Sequence, residues 1–551
     1  MTIASEQWDV LIRGGRVVDG TGNPWFHGDV ALRGDRVAAV LPAGLASPAQ
    51  AAETVDAAGM VVAPGFIDIQ SHSIEPFLSD RRALSKVTQG VTTDIMGEAW
   101  TPAPFGGRIA HPFPPEDRQK IGPDFDEWDR LGRTWHRFGD WLADLERRGV
   151  SINVGSFVGQ GTVREYAMGY ALGEAGPDEL ATMRGVVEEA MRDGAFGLAS
   201  ALIYPPGSYA GTEELVALCE VVARWHGIHV THMRSEEARI LEALDETLAV
   251  ARRTGVVTEI YHLKAAGAAN HPRMAEVIRR VEAARADGLD VTADMYPYVA
   301  SGTGIASCLP PWAEADGKLW DNLRDPATRA LIREAMVTPS DEWESLALND
   351  GPDHVVLAGL ERPEHQGYVG RRLHEVAADR GEAWPDTILR LLDAEQQNIF
   401  CFYESMSEDN LRRQMRLPWV KFSTDAGGVD PERMTRGGFL HPRAFGTYPR
   451  VLGRYVREEG VLPLEDAVRK MSSAVADRLG LRDRGQLRAG LQADVVVFDP
   501  ATVGDRATFA DPHQLSVGVR DVWVNGGRVL RDGSHTDALP GRWVKGPGSL
   551  V

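Results

Sequence analysis

Between residues 63 and 484, short apolar runs of β type alternate with helical stretches, and this alternation limits the fold more than any other feature of the chain. The runs are GFIDIQ from 65, VTTDIM from 91, SINVGSF from 151, AFGLAS from 195, GIHVTHM from 227, VVTEIYHL from 256, GLDVTADM from 288 and WVKFST from 419. The stretch ILEALDETLAVARRTG at 240–255 is one of the helical segments between them. It sets Leu241, Leu244, Leu248 and Val250 on an apolar side and ends in glycine. Eight strand–helix repeats predict an α/β chain closed as a (β/α)8 barrel of the TIM type. Two further runs, HVVLAG from 354 and NIFCFY from 398, make ten candidates for eight places, so at least one lies outside the barrel.

The two ends of the chain read differently. WDVLIRGGRVVDGTG from 8 and HGDVALRGDRVAAVL from 27 are short strands broken by Gly-Gly, Asp-Gly and Gly-Asp turns, and GLQADVVVFDP from 490 and DVWVNGGRVLRDG from 521 repeat the style. Val524-Asn525-Gly526-Gly527-Arg528-Val529 echoes Ile12-Arg13-Gly14-Gly15-Arg16-Val17. Residues 1–62 and 485–551 are therefore expected to form one composite β-sandwich domain, with the barrel of 63–484 inserted between them. Two segments are too long for plain loops, 99–148 and 299–353. The first carries Trp100, Phe105, Phe113, Phe125, Trp128, Trp135, Phe138 and Trp141, and the second Leu309-Pro310-Pro311-Trp312. Each either walls a pocket or packs on the barrel helices.

Composition narrows the class of function. A net charge of −20 argues against nucleic acid as a partner. No apolar run reaches 18 residues, which argues against a membrane span, and the first residues lack the pattern of a secretory signal. The expectation is a cytoplasmic enzyme acting on a small molecule, with a homo-oligomer left open. Cys219, Cys308 and Cys401 match neither a disulfide framework nor a thiolate zinc site and read as buried small hydrophobes.

Residues able to do chemistry collect at the ends of the strand runs. Gln70 and His72 end the first and share a face, because residues two apart on a strand point the same way. Glu98 follows the second run, His232 closes GIHVTH, His262 closes VVTEIYH and Asp425 follows WVKFST. In a barrel this is the face that carries active sites. Imidazole and carboxylate are the natural ligands of zinc and similar ions, so the set predicts a metal centre with Gln70 as a weak, neutral member. His226 and His229 are expected to be structural, since His229 faces away from His232.

The chain resembles the amidohydrolase superfamily and, within it, the N-acyl-D-amino-acid deacylase (D-aminoacylase) family. GGRVVDGTGNP, APGFIDIQSHS, TQGVTTDIMGE, ALIYPPGSYA, VTHMRSE, HLKAAG, DMYPYVAS, FSTDAGG, HPRAFGTYPRVLGRYVRE and DRGQLRAGLQADVVVFDP carry the likeness in family order over nearly the whole length. The resemblance implies a (β/α)8 barrel with a β-sandwich built from both termini. It also implies that His232 and His262 hold the tightly bound metal and that Asp425 is the catalytic aspartate. Lys264, Tyr296, Ser301 and Arg436 would contact the substrate's carboxylate or the reacting carbonyl, although Tyr296 also suits a packed aromatic, Ser301 an ordinary loop serine and Arg436 a surface arginine. Three positions depart from the family pattern. Gln70-Ser71-His72 replaces a usual His-x-His, Gly97-Glu98-Ala99-Trp100 replaces a usual Gly-Asn-Cys-Gly, and Gln160 stands where many relatives carry histidine. The expected cofactor is one or two zinc ions and the expected substrate a small amide bearing a carboxylate. The expected chemistry is metal-assisted hydrolysis with Asp425 as general base and acid. Alternatives are hydrolysis of a cyclic amide, a dipeptide or an unusual natural-product or xenobiotic amide, and a binding protein without catalysis.

Overall fold

The computed structural model describes residues 7–114, 118–433 and 438–550. Its centre is a ring of parallel strands. In order these are Phe66–Asp68, Val91–Met96, Asn153–Ser156 continued by Val158–Gly159, Gly197–Ala201, Ile228–His232, Val257–Ile260, Val291–Met295 and Val420–Phe422. All eight runs of the first list become barrel strands. The third bends at Phe157, whose N–H bonds Met96 at 2.9 Å, while Phe196 N–H bonds Ser156 O at 3.0 Å and carries the pairing on to the fourth strand. The last strand returns to the first: Asp425 N–H donates to Gln70 O at 3.0 Å and His72 N–H to Ala426 O at 3.2 Å.

The helix at Ile240–Thr254 shows how the outer layer attaches. It buries Ile240, Ala243, Leu244, Thr247, Leu248 and Ala251, a stripe at helical spacing, and Gly255 ends it at φ +69°. Leu241, expected on that stripe, is only half-buried. The two surplus β runs both lie outside the ring. Val355–Leu357 and Phe400–Tyr403 join Ser301–Gly304 in a three-stranded antiparallel sheet. The second insertion therefore does not stop at 353, because the partner of its opening strand arrives only at Phe400. It has a core of its own around Ile305, Leu357, Ile388, Leu392 and Tyr403.

In the first insertion most of the aromatic residues turn inward. Phe113, Phe125, Trp128, Trp135, Phe138 and Trp141 are buried, with Phe113 against Trp135 at 6.0 Å and Trp128 against Trp135 at 6.1 Å between ring centres. Packing, not a pocket wall, accounts for them. Trp100 and Phe105 stay partly exposed.

The sheet outside the barrel takes strands from both ends of the chain. Val495–Phe498 pairs antiparallel with Val61–Pro64, which runs parallel to Trp8–Val17. The echoed hexapeptides fold differently. In the second, Val524 pairs with Gly527 across Asn525 (φ +48°) and Gly526 (φ +79°), a two-residue hairpin turn that needs positive φ at both positions. In the first, Gly14 (φ +71°) sits inside one continuous strand as a bulge. Among the described residues no helix is long and apolar enough to cross a membrane. The three cysteines are buried and unpaired.

His229 lies within the barrel wall, its Nε2 3.0 Å from Ser200 Oγ, and burial pushes its pKa down to about 4 from the ordinary 6.5. Unfolded chains take up this proton first as pH falls, so stability drops from about pH 6.5 downward and levels off below about 4. Between pH 6.5, where the unfolded group is half protonated, and pH 5 the contribution lost is about 1.6 kcal/mol. In urea unfolding at those two pH values, His229→Gln is expected to lose measurably less stability than the unaltered chain. Equal losses would contradict the account.

Candidate active site

Six of the expected residues meet at the C-terminal mouth of the ring. His232 ends its strand, while Gln70, His72, Glu98, His262 and Asp425 lie two to four residues beyond theirs. Backbone geometry turns three positions of the site inward. Ala99, His262 and Asp425 hold φ of +58°, +35° and +50°, a left-handed conformation costing a non-glycine residue about 1–3 kcal/mol and found at functional sites. Gly97, at φ +102°, has no room for a side chain: a Cβ there would lie 2.2 Å from Phe157 O. The twist over 97–99 is what brings the Glu98 carboxylate into the mouth.

Glu98 divides its oxygens. Oε1 faces His232 Nδ1 at 3.3 Å and His262 Nε2 at 3.7 Å, and Oε2 faces Gln70 Nε2 at 2.6 Å and His72 Nε2 at 3.5 Å. Asp425 is held on both oxygens. Oδ1 accepts from Gln70 Nε2 at 3.1 Å and lies 2.9 Å from His72 Nε2, while Oδ2 pairs with Arg443 at 2.8 Å. Burial raises both carboxyls, but the neighbouring cations and histidines win. Hydrogen bonds from His232 and His262 carry Glu98 well below the carboxylate range, and Arg443, His262 and His72 hold Asp425 at about 2. His232 is pushed down by burial, whereas Glu236 and Asp425 outweigh burial and Lys264 to raise His262 to about 10.

Gln70 was expected to lend its amide oxygen to a metal. Its nitrogen faces the site instead. Oε1 turns to Ser423 Oγ at 3.4 Å, and reversing the amide would set its carbonyl against two carboxylate oxygens. Lys264 is buried and donates to both oxygens of Glu236, at 2.6 and 2.7 Å, with His262 Nδ1 at 2.7 Å. Tyr296 is buried under the guanidinium of Arg443, 4.6 Å from the ring centre. Ser301 opens the sheet of the second insertion and pairs with Tyr403. Arg436 falls outside the described residues. Gln160 is buried away from these groups and donates to Glu214 at 3.0 Å.

Two participants escaped the sequence reading, Glu236 and Arg443. Both lie inside segments that carry the family likeness, VTHMRSE and HPRAFG. A signal existed for each: a buried lysine or aspartate at a strand end needs an opposite charge nearby. Glu236 also lies 3.0 Å from His262 Nδ1 and 3.5 Å from His232 Nε2, the arrangement by which an outer carboxylate orients a ligating imidazole.

The donor atoms suit a divalent ion. Ligand atoms of Glu98, His232 and His262 lie within 4.8 Å of one another, as do those of His72, Glu98 and Asp425. Two imidazoles and a carboxylate are a zinc-type set.

The amidohydrolase family model matches residues 53–335 and 409–530, leaving out most of the second insertion. A D-aminoacylase of Alcaligenes xylosoxydans xylosoxydans is 36% identical over 98% of both chains. A solved D-aminoacylase, studied for the role of its binuclear metal centre, covers 98% of this chain and 100% of its own at 33% identity and a TM-score of 0.80. An N-acyl-D-glutamate deacylase of Bordetella bronchiseptica, solved with zinc and a phosphonate inhibitor, matches over the same shares at 31% identity and a TM-score of 0.79. Likeness of this extent, from one end of the chain to the other, means that the chain belongs to the amidohydrolase family, in company with the D-aminoacylases.

Proposed function

We propose that the chain is a divalent-metal-dependent deacylase of N-acyl-D-amino acids. The observation that carries the reading is the pairing of a Glu98–His232–His262 donor set with a neighbouring Asp425 fixed on both oxygens. A divalent ion held by Glu98, His232 and His262, zinc by the chemistry of the donors, would supply Lewis acidity, polarising the scissile carbonyl and lowering the pKa of water toward about 7.

The chain's own residues do the rest. Asp425 is ionised at neutral pH, since Arg443 and the histidines hold its pKa at about 2, so it can accept the proton of the attacking water. Its Oδ1 is aimed by Gln70 and His72 and its Oδ2 by Arg443, and the same carboxyl returns the proton to the leaving nitrogen. By family likeness, Lys264 and Tyr296 would face the carboxylate of the substrate. There the ammonium of Lys264, now on Glu236, would be shared with the substrate. Ser301, on the neighbouring insertion, and Arg436 would join them by family likeness alone. These cations explain how a protein of net charge −20 would take an acidic substrate. The reading keeps a small-molecule substrate, a cytoplasmic setting and no nucleic-acid partner.

N-acetyl-D-amino acids with neutral and acidic side chains, their L forms, a hydantoin and a dipeptide make the decisive panel. Turnover of D substrates with no measurable turnover of L is expected. Asp425→Asn is expected to lower kcat by about 10³-fold or more with metal content unchanged. Hydrolysis of the cyclic amide or the dipeptide alone would overturn the reading. Removing both imidazoles, His232→Ala with His262→Ala, should leave the purified protein without tightly held metal. An unchanged metal analysis would rule out that donor pair.

A further inference from the structure

The mouth of the barrel holds two overlapping donor groups that share one carboxylate: Glu98 with His232 and His262, and Glu98 with His72 and Asp425. They are not equally open to a cation, and Gln70 makes the difference. Its side chain is buried and enters between the two carboxylates of the second group. One nitrogen reaches both, Glu98 Oε2 at 2.6 Å and Asp425 Oδ1 at 3.1 Å. An amide nitrogen carries two hydrogens and offers no acceptor or ligand capacity. Each N–H therefore takes up one of the two oxygens that a cation at this position would need, and the amide oxygen points back to Ser423. The His72 ring adds a contact of 2.9 Å to the same Asp425 oxygen. By contrast, Glu98 Oε1, on the side of His232 and His262, takes no hydrogen bond from Gln70.

We propose that Gln70 is a positioning residue that stands in for a second metal ion. Its two N–H donors hold Glu98 and Asp425 together, close the His72–Glu98–Asp425 group to a cation, and leave a one-ion enzyme. This rests on the hydrolase reading above and deepens it by setting the metal count. The neutral amide keeps Asp425 free of a direct bond to metal, so its proton-accepting lone pairs remain available. The orientation that a second ion would impose comes instead from Gln70 and His72 on Oδ1 and from Arg443 on Oδ2.

The test is zinc content per chain, measured by mass spectrometry after dialysis against excess zinc and then against buffer, for the unaltered protein, Gln70→His and Gln70→Leu. The unaltered chain should hold about one ion, and Gln70→His about two, because an imidazole brings a lone pair to the same two carboxylates. Gln70→Leu should keep about one ion and lose about 10-fold or more in kcat with KM changed less than ~3-fold, because the lost tether acts on the transition state and not on substrate binding. Two ions on the unaltered chain would overturn this proposal and leave the hydrolase reading intact, while no ion would overturn both. One ion on Gln70→His, or an unchanged kcat for Gln70→Leu, would also overturn it.

Discussion

Everything at the mouth of the barrel depends on the seam where the last strand meets the first. A buried ionic layer fixes that seam. Lys86, fully buried, pairs with Asp68, lies 3.4 Å from Asp94 and donates to Thr424 Oγ1 at 2.7 Å and Ser71 Oγ at 3.2 Å. Thr424 N–H bonds Asp68 Oδ1 at 3.0 Å, and Ser71 and Ser73 donate to Asp94 at 2.8 and 2.6 Å. Charges out of water are tolerable only when paired and hydrogen-bonded, and removing one partner of such a set typically costs about 3–5 kcal/mol. The layer spans residues of the first, second and last strands directly beneath Gln70, His72 and Asp425. It thereby fixes the register in which Gln70 faces Asp425.

Above that layer the site is a chain of matched charges. Asp425 is balanced by Arg443, and Lys264 by Glu236. Glu98 stands between them with one oxygen toward the histidines of the barrel's far side and one toward Gln70. Glu236 couples the two halves, since it touches His262, His232 and Lys264 at once. A substrate carboxylate arriving at Lys264 would thus be felt at the imidazoles of the proposed metal site, through one shared carboxylate.

Much of this architecture was legible in the sequence, for physical reasons. The eight barrel strands are buried on both faces, so they stand out as apolar runs ending in polar residues at the active face. HVVLAG and NIFCFY carry the same local signal, because a strand in a small antiparallel sheet buries the same residue types. Only pairing partners tell the two apart, and pairing is not local. The echo of Ile12–Val17 in Val524–Val529 shows the same limit, with one pattern giving a bulge in one place and a turn in the other. At the site, the strand-end histidines and acids were readable one by one. The direction of the Gln70 amide was not, because it is set by two carboxylates 28 and 355 residues away. Glu98 reaches the mouth only through the positive φ of Gly97 and Ala99, which composition does not announce.

The most direct measurement is the position of the ion itself. Anomalous scattering at the zinc edge, from a crystal grown with zinc, should show one peak, bounded by Glu98, His232 and His262, with the Gln70 nitrogen still between Glu98 and Asp425. A peak between His72 and Asp425, with the amide of Gln70 turned aside, would contradict the account.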